Sequence, residues 1–283
     1  MKTGLVLEGG GMRGMFTAGV LDVLMEQGIP FDGAIGVSAG ACFGCNYKSH
    51  QIGRTLRYNV EFAHDWRYAS WRSLLTTGNF FGTEFAYREV PLERDPFDTE
   101  TFEKDPMEFW VVATNVLTGG PVYHQMLTCN EEELDWIRAS SSMPLVSEVV
   151  KVGGRLMLDG GIADSIPVRF FEKQGYERNV IVLTQPADYV KEPVGMMPLI
   201  RASLRKYPKV VEAMAKRHEV YNETKEYIKT RVAEGAAFVI LPPEPLDIGH
   251  IEHDVEEILR VYNIGRKTAE KQLPELKSFL GRA

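Results

Sequence analysis

The chain opens with short apolar runs that alternate with stretches of helical periodicity. Gly4–Leu7 and Gly33–Val37 are apolar runs of strand length flanked by glycines, which predicts two strands buried on both faces. Between them apolar residues recur at helical spacing from Gly14, and Gly28 ends that helix. A second helical stretch follows the second strand directly. Strand, helix, strand and helix in this order predict a parallel sheet covered by helices.

Further elements follow with weaker signals. Phe109–Thr114 predicts a central strand, and Thr118–Gly120 predicts a hairpin turn after it. Asn130, with Glu133 three residues later, resembles a cap that begins a helix running to about residue 140. The remaining predicted elements are a hairpin over 151–158, strands over 179–184 and 237–241, and helices over 196–234 and 254–280.

Composition narrows the class of protein. With 283 residues, 44% hydrophobic and 25% charged, the chain fits a soluble globular protein, and we predict one domain over residues 1–283. No apolar run approaches the roughly 20 residues that span a bilayer, and the first apolar run is too short for a secretory signal. We therefore expect a cytoplasmic protein. The net charge of −7 argues against a nucleic-acid partner.

Three cysteines are too few for a disulfide framework or a zinc site. Cys42 and Cys45 have the spacing of a redox motif, but they fall in the predicted second helix, where small apolar residues are typical of a core. Cys129 stands alone. We predict no bound metal.

The sharpest chemical signal is Gly36–Gly40 (GVSAG), which fits G-x-S-x-G directly after a buried strand and before a helix. In that context Ser38 lies on a tight turn, and a Cβ at the flanking glycines would clash. The hydroxyl then stands clear of the backbone, and the amide of Ala39 faces the point where a carbonyl oxygen would acquire charge. Ser38 is therefore predicted to be a nucleophile, although a plain turn serine is the alternative.

A second glycine-rich loop, Gly9–Gly14 (GGGMRG), follows the first predicted strand. It fits G-x-G-x-x-G, so a dinucleotide-binding oxidoreductase is one alternative. That interpretation needs an acidic residue at the far end of the second strand, where Val37 and Ser38 stand, whereas Asp32 precedes the strand. The loop amides would suit any anion, including the oxyanion of an acyl intermediate, and a purely structural turn also stays open.

A base for the Ser38 hydroxyl must come from elsewhere in the chain. Asp159 ends the predicted hairpin and is followed by two glycines, which let a substrate and a second loop approach. An aspartate with the ordinary pKa of about 3.9 is a weak base, but burial beside the serine with little positive charge nearby would raise its pKa. None of the six histidines is flanked by glycines or follows a buried strand. A Ser-His-Asp esterase using His250 or His253 is the enzymatic alternative.

Taken in order, these three motifs resemble the patatin-like phospholipase family. Weaker matches are Ala139–Pro144 (ASSSMP) and the continuation of the Asp159 motif to Pro167. The resemblance covers about residues 4–185. It implies a three-layer α/β/α fold with a mostly parallel central sheet, followed by the helical C-terminal extension of bacterial members, about residues 190–283.

The resemblance also implies roles for the motif residues. Ser38 would be the nucleophile and Asp159 the base of a dyad without histidine, cleaving carboxylic esters of lipids through an acyl-enzyme and without a cofactor. Substrates of the phospholipase A, lysophospholipase and esterase types are all open. The implied oxyanion hole comprises the amides of Gly10, Gly11 and Met12, with Ala39, beside Arg13. The implied motif glycines are Gly9, Gly14, Gly36, Gly40, Gly160 and Gly161.

Signals for substrate and partners are weaker. Aromatic residues between Trp66 and Phe81 would line an acyl-chain groove or simply fill the core. A basic run would contact anionic head groups at a membrane surface or form a solvated helix face. A non-catalytic binding protein on the same scaffold is a further alternative. The basic run comprises Arg201, Arg205, Lys206, Lys209, Lys216 and Arg217.

Overall fold

The computed structural model describes residues 1–281 of the chain. Within them eight strands form one mixed sheet in the order β5-β6-β3-β2-β1-β7-β8, with β4 paired to β3. The parallel strands are β1 (Lys2–Leu7), β2 (Gly33–Val37), β3 (Glu108–Asn115), β7 (Tyr176–Val182) and β8 (Ala237–Ile240). The antiparallel strands are β4 (Pro121–Met126), β5 (Val150–Val152) and β6 (Arg155–Asp159).

Helices surround this sheet. Those of the first half are α1 (Gly14–Glu26), α2 (Ala39–Lys48), α3 (Arg54–Glu61), α4 (Trp71–Thr77) and α5 (Thr99–Lys104), with a π-helical segment over Phe85–Arg94. Those of the second half are α6 (Glu131–Ser140), α7 (Val168–Lys173), α8 (Met197–Ser203), α9 (Pro208–Ala233) and α10 (Val255–Phe279). In residues 1–281 none of them combines the length and the hydropathy of a membrane span.

Alternate residues of the central strands pack on opposite faces of the sheet. Leu5 and Leu7 of β1 belong to a core shared with α1, α2 and α10. Val6 between them belongs to a core on the other face, formed with α7 and α9. This alternation follows from the period of two along a strand, and it makes the continuous apolar runs necessary, because both faces are covered. The three-layer α/β/α prediction with a mostly parallel sheet is confirmed.

The C-terminal helix α10 packs directly on α1. A Cβ at Gly19 would lie 2.1 Å from the carbonyl oxygen of Tyr262, and one at Gly265 would lie 2.0 Å from that of Phe16. Two glycines therefore let the helix backbones approach closely. Helix α10, the last helix of the predicted extension, is thus part of the layer that contains α1.

The strands predicted from apolar runs are confirmed, whereas several helices were not predicted. These are α3, α4, α5 and α7 and the π-helical segment. The predicted helix over 196–234 is divided into α8 and α9, and Pro208 is the first residue of α9, a position that proline favours. Asn130 caps α6 as predicted, since its Oδ1 accepts the Glu133 amide at 3.1 Å.

The register of β3 explains how distant motifs meet. Val37, the last residue of β2, pairs with Val112, while Asp159, the last residue of β6, pairs with the next residue, Ala113. Strand β4 pairs along one edge of β3, so β2 and β6 both pair along the opposite edge. There the C-terminal end of β2 lies next to the C-terminal end of β6. The topology therefore brings Asp159 beside the turn that begins with Ser38.

Candidate active site

Ser38 lies on a sharp turn between β2 and α2. Its backbone has φ 55° and ψ −123°, a region that non-glycine residues rarely occupy and that is typical of strained functional turns. A Cβ at Gly36 would lie 2.4 Å from the Gly40 carbonyl oxygen, and one at Gly40 would lie 2.5 Å from that of Leu7. Glycine is therefore needed at position 36 for the turn to close, and at position 40 for the turn to pack against β1.

Asp159 is buried next to this turn. Its Oδ1 accepts the Gly161 amide at 2.7 Å, whereas Oδ2 has no hydrogen-bond partner within the described residues. Burial raises the pKa of Asp159 to about 6, although Arg217, the Ser38 hydroxyl and the Gly161 amide act in the opposite direction. The Ser38 hydroxyl is near enough to lower this pKa, but it does not make a full hydrogen bond to Oδ2, as is common before substrate binds.

Positive charge is closer to Asp159 than the sequence led us to expect. The Arg217 Nε donates to the Gly161 carbonyl oxygen at 2.5 Å, which places the guanidinium beside the Asp159 motif. The expectation of little positive charge nearby is therefore wrong. The raised pKa is nevertheless confirmed, because loss of water around the carboxylate outweighs the attraction of the arginine.

The segment Ala139–Pro144 ties the two motifs together. The Ser140 hydroxyl accepts the backbone amide of Ser38 at 2.9 Å and donates to the Val112 carbonyl oxygen at 2.6 Å. Two residues on, the carbonyl oxygen of Ser142 accepts the backbone amide of Asp159 at 2.9 Å. The weak sequence match thus corresponds to the hydrogen bonds that hold both turns in position.

The loop Gly9–Gly14 lies against the Ser38 turn. A Cβ at Gly9 would be 2.9 Å from the Ser38 Cβ. The amides of Gly10 and Gly11 have no acceptor in the part of the chain that the structure describes, whereas the Met12 amide donates to the His250 carbonyl oxygen at 3.2 Å. Met12 is therefore not a free donor in this arrangement.

At the other side of Ser38 stands the N-terminus of α2. Ala39 is the first residue of that helix, so its amide has no acceptor within the helix. The amides of Gly10, Gly11 and Ala39 together offer donors near the Ser38 hydroxyl, supported by the positive end of the helix dipole.

A cavity of about 460 Å³ joins these residues. One end is mostly apolar and lies between α2, α3, α6 and the π-helical segment. The other end is polar and is reached by Arg13, Lys191, Arg217 and His250. The residues that line the apolar end include Cys42, Phe43, Tyr58, Tyr68, Phe80, Phe81, Tyr87, Val90, Phe97, Met126 and Leu134.

The aromatic stretch contributes to this cavity in part. Tyr68, Phe80 and Phe81 line it, while the side chains of Trp66 and Trp71 are exposed. Cys42 also lines it, but burial raises the pKa of its thiol to about 12, so the thiol stays protonated and unreactive at neutral pH.

Comparison with known proteins identifies the family. The model of the patatin-like phospholipase family matches residues 5–171, more than half of the chain. The chain belongs to this family. A second model, a domain of unknown function (DUF6363), matches residues 207–281.

Relatives of this chain differ widely in length. The chain is 31% identical to the uncharacterized protein YjjU of Escherichia coli over 94% of this chain and 75% of that protein. It is 30% identical to lysophospholipase NTE1 of Debaryomyces hansenii over 62% of this chain but only 11% of the fungal protein. The crystal structure of VipD from Legionella pneumophila aligns with a TM-score of 0.46 and 13% identity, over 97% of this chain and 67% of that one.

The structure brings most of the predicted site residues to one cavity. Its lining includes Gly9, Gly10, Gly11, Met12, Arg13, Ser38, Ala39, Asp159 and Gly161. The other motif glycines lie behind it and permit close packing. A Cβ at Gly14 would be 2.8 Å from the Ala39 Cβ, and one at Gly160 would be 2.2 Å from the Val112 carbonyl oxygen.

Of the two candidate histidines, only His250 lines the cavity. Burial and the neighbouring cations Arg13, Arg217 and Lys191 lower its pKa to about 4. No hydrogen bond joins it to Ser38 or Asp159 within residues 1–281. His253 instead contacts the Ala63 carbonyl oxygen through Nδ1 at 2.7 Å.

No pattern in the sequence marks Lys191, whereas His250 is a candidate only as the base of the alternative esterase and Arg217 only as a member of the basic run. A further signal for Arg217 is its position on α9. It lies three residues after Met214 and four before Tyr221, both buried on α9, so helical spacing places it on the inner stripe. The other members of the basic run are exposed.

Proposed function

We propose that the protein is a serine hydrolase that cleaves carboxylic ester bonds of lipids, with Ser38 as nucleophile and Asp159 as base. The observation that carries this proposal is the meeting of β2 and β6 on one edge of β3. A strained serine turn lies there beside a buried carboxylate, one oxygen of which has no hydrogen-bond partner within residues 1–281, in a cavity with an apolar end.

In the proposed first step, Asp159 takes the proton of the Ser38 hydroxyl while Oγ bonds to the ester carbonyl carbon. The carbonyl oxygen gains negative charge, which the amides of Gly10, Gly11 and Ala39 stabilise. The intermediate collapses as the alkoxy oxygen takes the proton from Asp159 and leaves as an alcohol. An acyl group then remains on Ser38.

In the second step water attacks the acyl-enzyme. Asp159 takes a proton from the water as its oxygen bonds to the acyl carbon, and the same oxyanion donors hold the charge. The bond to Oγ breaks, the Asp159 proton passes to Oγ, and a fatty acid is released. Both groups return to their starting state.

The lipid character of the substrate is supported by two observations. The cavity as a whole, about 460 Å³, is large enough for an alkyl chain, and its apolar end is lined by aromatic and aliphatic side chains. Fungal relatives of this chain are named lysophospholipases. Those relatives are much longer, so their activity supports a lipid ester rather than one particular lipid.

A fluorophosphonate probe tests the two roles. The wild type is expected to label on Ser38, Ser38→Ala to lose labelling, and Asp159→Asn to label at least 100-fold more slowly, since a base typically contributes about 10²–10⁴-fold. Two matched controls are expected to label like the wild type. Ser49→Ala changes a serine at the far end of α2, and Asp164→Asn changes a half-buried carboxyl that accepts the Tyr123 hydroxyl. Full labelling of Ser38→Ala would refute the assignment of Ser38 as the nucleophile.

A further inference from the structure

A polar cluster lies inside the mostly apolar end of the cavity. It consists of Arg54, Tyr58 and Asn59, three residues of α3 that line the cavity, and we refer to it as the distal cluster. These residues are almost fully buried, with exposed fractions of 4%, 7% and 2% in that order. Asn59 is partnered, since its Oδ1 accepts the Tyr68 hydroxyl at 3.0 Å. Buried polar groups normally have such partners, so a buried donor that lacks one points to a ligand.

The other two members of the distal cluster have donors without acceptors. The Tyr58 hydroxyl has no hydrogen-bond partner within residues 1–281. The Arg54 guanidinium has five N–H groups, of which three donate to Asp95 and Asn46, so two have no acceptor among the described residues. Burial raises the pKa of Tyr58 well above its ordinary value, so this hydroxyl stays protonated and able to donate.

The charge of Arg54 already has a counterion. Its Nε lies 3.8 Å from the Oδ1 of Asp95, a carboxylate that is itself buried. What the distal cluster lacks is therefore an acceptor for its hydrogen bonds and not a compensating charge. A neutral oxygen atom such as that of a hydroxyl meets this need, because it accepts hydrogen bonds without adding a further buried charge.

The distal cluster lies well beyond the nucleophile along α2. Asn46 follows Ser38 by eight positions, and its Oδ1 accepts an Arg54 N–H at 2.9 Å. Because a helix rises about 1.5 Å per residue, this contact lies about 12 Å along α2 from the serine turn, which an extended acyl chain of roughly ten carbon atoms spans. Cys42 and Cys45 of α2 line the same cavity between these two points.

We propose that the distal cluster binds a hydroxyl oxygen near the far end of the acyl chain, so that the preferred substrates are esters of medium-chain hydroxy fatty acids. This inference rests on the proposed function, because it takes the acyl chain to enter the apolar end from Ser38. The substrate hydroxyl would accept hydrogen bonds from Tyr58 and Arg54. An unsubstituted chain would leave these donors unpaired, and a site built to bind a hydroxyl discriminates against an analogue that lacks it.

Two p-nitrophenyl esters that differ in one hydroxyl test this assignment. We expect kcat/KM of the wild type to be at least about fivefold higher for the 10-hydroxydecanoate than for the decanoate. In Tyr58→Phe this ratio should fall by about tenfold, because a donor is lost at nearly unchanged shape. Tyr176→Phe is the matched control. Tyr176 is also buried but packs in the core on the other face of the sheet, so its ratio should equal that of the wild type.

A shorter pair of esters tests the position of the subsite. The hydroxyl of the 6-hydroxyhexanoate is too close to the ester to reach the distal cluster, so the wild type should not prefer it to the hexanoate. An equal preference for the hydroxylated ester in both pairs would overturn a site at this depth of the cavity.

Calorimetry with the free acids supplies a readout that does not need turnover. Ser38→Ala should bind 10-hydroxydecanoic acid at least about fivefold more tightly than decanoic acid, and the double variant with Tyr58→Phe should lose this difference. No preference in either measurement, or a preference that Tyr58→Phe leaves unchanged, would overturn the subsite. Undiminished hydrolysis by Ser38→Ala would instead refute the proposed function, and the calorimetric preference would then decide on the subsite alone.

Discussion

At the scale of residues, Asp159 combines burial with a few compensating contacts. Burial raises the pKa of the carboxyl, whereas Arg217, Ser38 and the Gly161 amide favour the carboxylate. The resulting pKa of about 6 leaves the group ionised at neutral pH and still basic enough to share a proton with a serine. This balance is what allows the proposed chemistry to proceed without an imidazole.

Ser140 offers a residue-scale test of positioning. Ser140→Ala removes the acceptor of the Ser38 amide and leaves the Val112 carbonyl oxygen unpaired, so we expect kcat/KM for a p-nitrophenyl ester to fall at least tenfold. Fluorophosphonate labelling should slow in parallel. Ser142→Ala is the control, because Asp159 is held by the Ser142 carbonyl oxygen and not by its hydroxyl. Equal rates in the two variants would contradict a positioning role for Ser140.

The sequence was informative where function depends on local turn chemistry. Ser38 and Asp159 were predicted because glycines that flank a turn are visible in a motif. Lys191 was not, and His250 was a candidate only as the alternative base, because loops distant in the chain deliver both residues and no local pattern marks the direction of their side chains. For Arg217 the basic run predicts a contact with anionic head groups or a solvated helix face, because charge alone does not show which stripe of the helix the residue occupies.

At the scale of elements, the same distinction separates strands from helices. The central strands lie between covered faces, so they needed continuous apolar runs that are easily recognised. The helices around the apolar end of the cavity are short and carry mixed side chains. The π-helical segment Phe85–Arg94 even contains Pro91, which normally predicts a helix end.

The crossing of α1 and α10 gives an element-scale prediction. Gly265→Ala should lower the free energy of unfolding by about 1–3 kcal/mol, because the new Cβ meets the Phe16 backbone and forces the helices apart. Helix propensity alone predicts the opposite sign. Urea denaturation measures the change. Gly195→Ala is the control, since no atom lies within 4 Å of its Cβ position, and a loss as large as that of Gly265→Ala would contradict the packing explanation.

At the scale of the whole molecule, a buried carboxylate carries a cost in stability. The pKa of Asp159 rises from 3.8 to about 6 on folding, so between these values the folded state binds more protons than the unfolded state. Its contribution to the free energy of unfolding therefore falls as the pH rises through this window. The full cost is present above about pH 6.

Asp159→Asn should remove this pH-dependent cost. We expect the difference in free energy of unfolding, variant minus wild type, to be about 2–3 kcal/mol larger at pH 8 than at pH 4. Urea denaturation of both proteins at the two pH values checks this. A difference that does not change with pH would mean that the carboxyl has an ordinary pKa in the folded protein.

The pH dependence of acylation tests the central claim most directly. With a p-nitrophenyl ester, kcat/KM of the wild type should fall as the pH drops through about 6, because Asp159 becomes protonated. The apparent pKa of this fall, the acid limb of the pH profile, should stay near 6 in His250→Gln. Asp159→Asn should lose most of the rate, and its remaining rate should lack the acid limb. A wild-type rate in Asp159→Asn with the limb intact, or a limb that disappears only in His250→Gln, would contradict a dyad of Ser38 and Asp159.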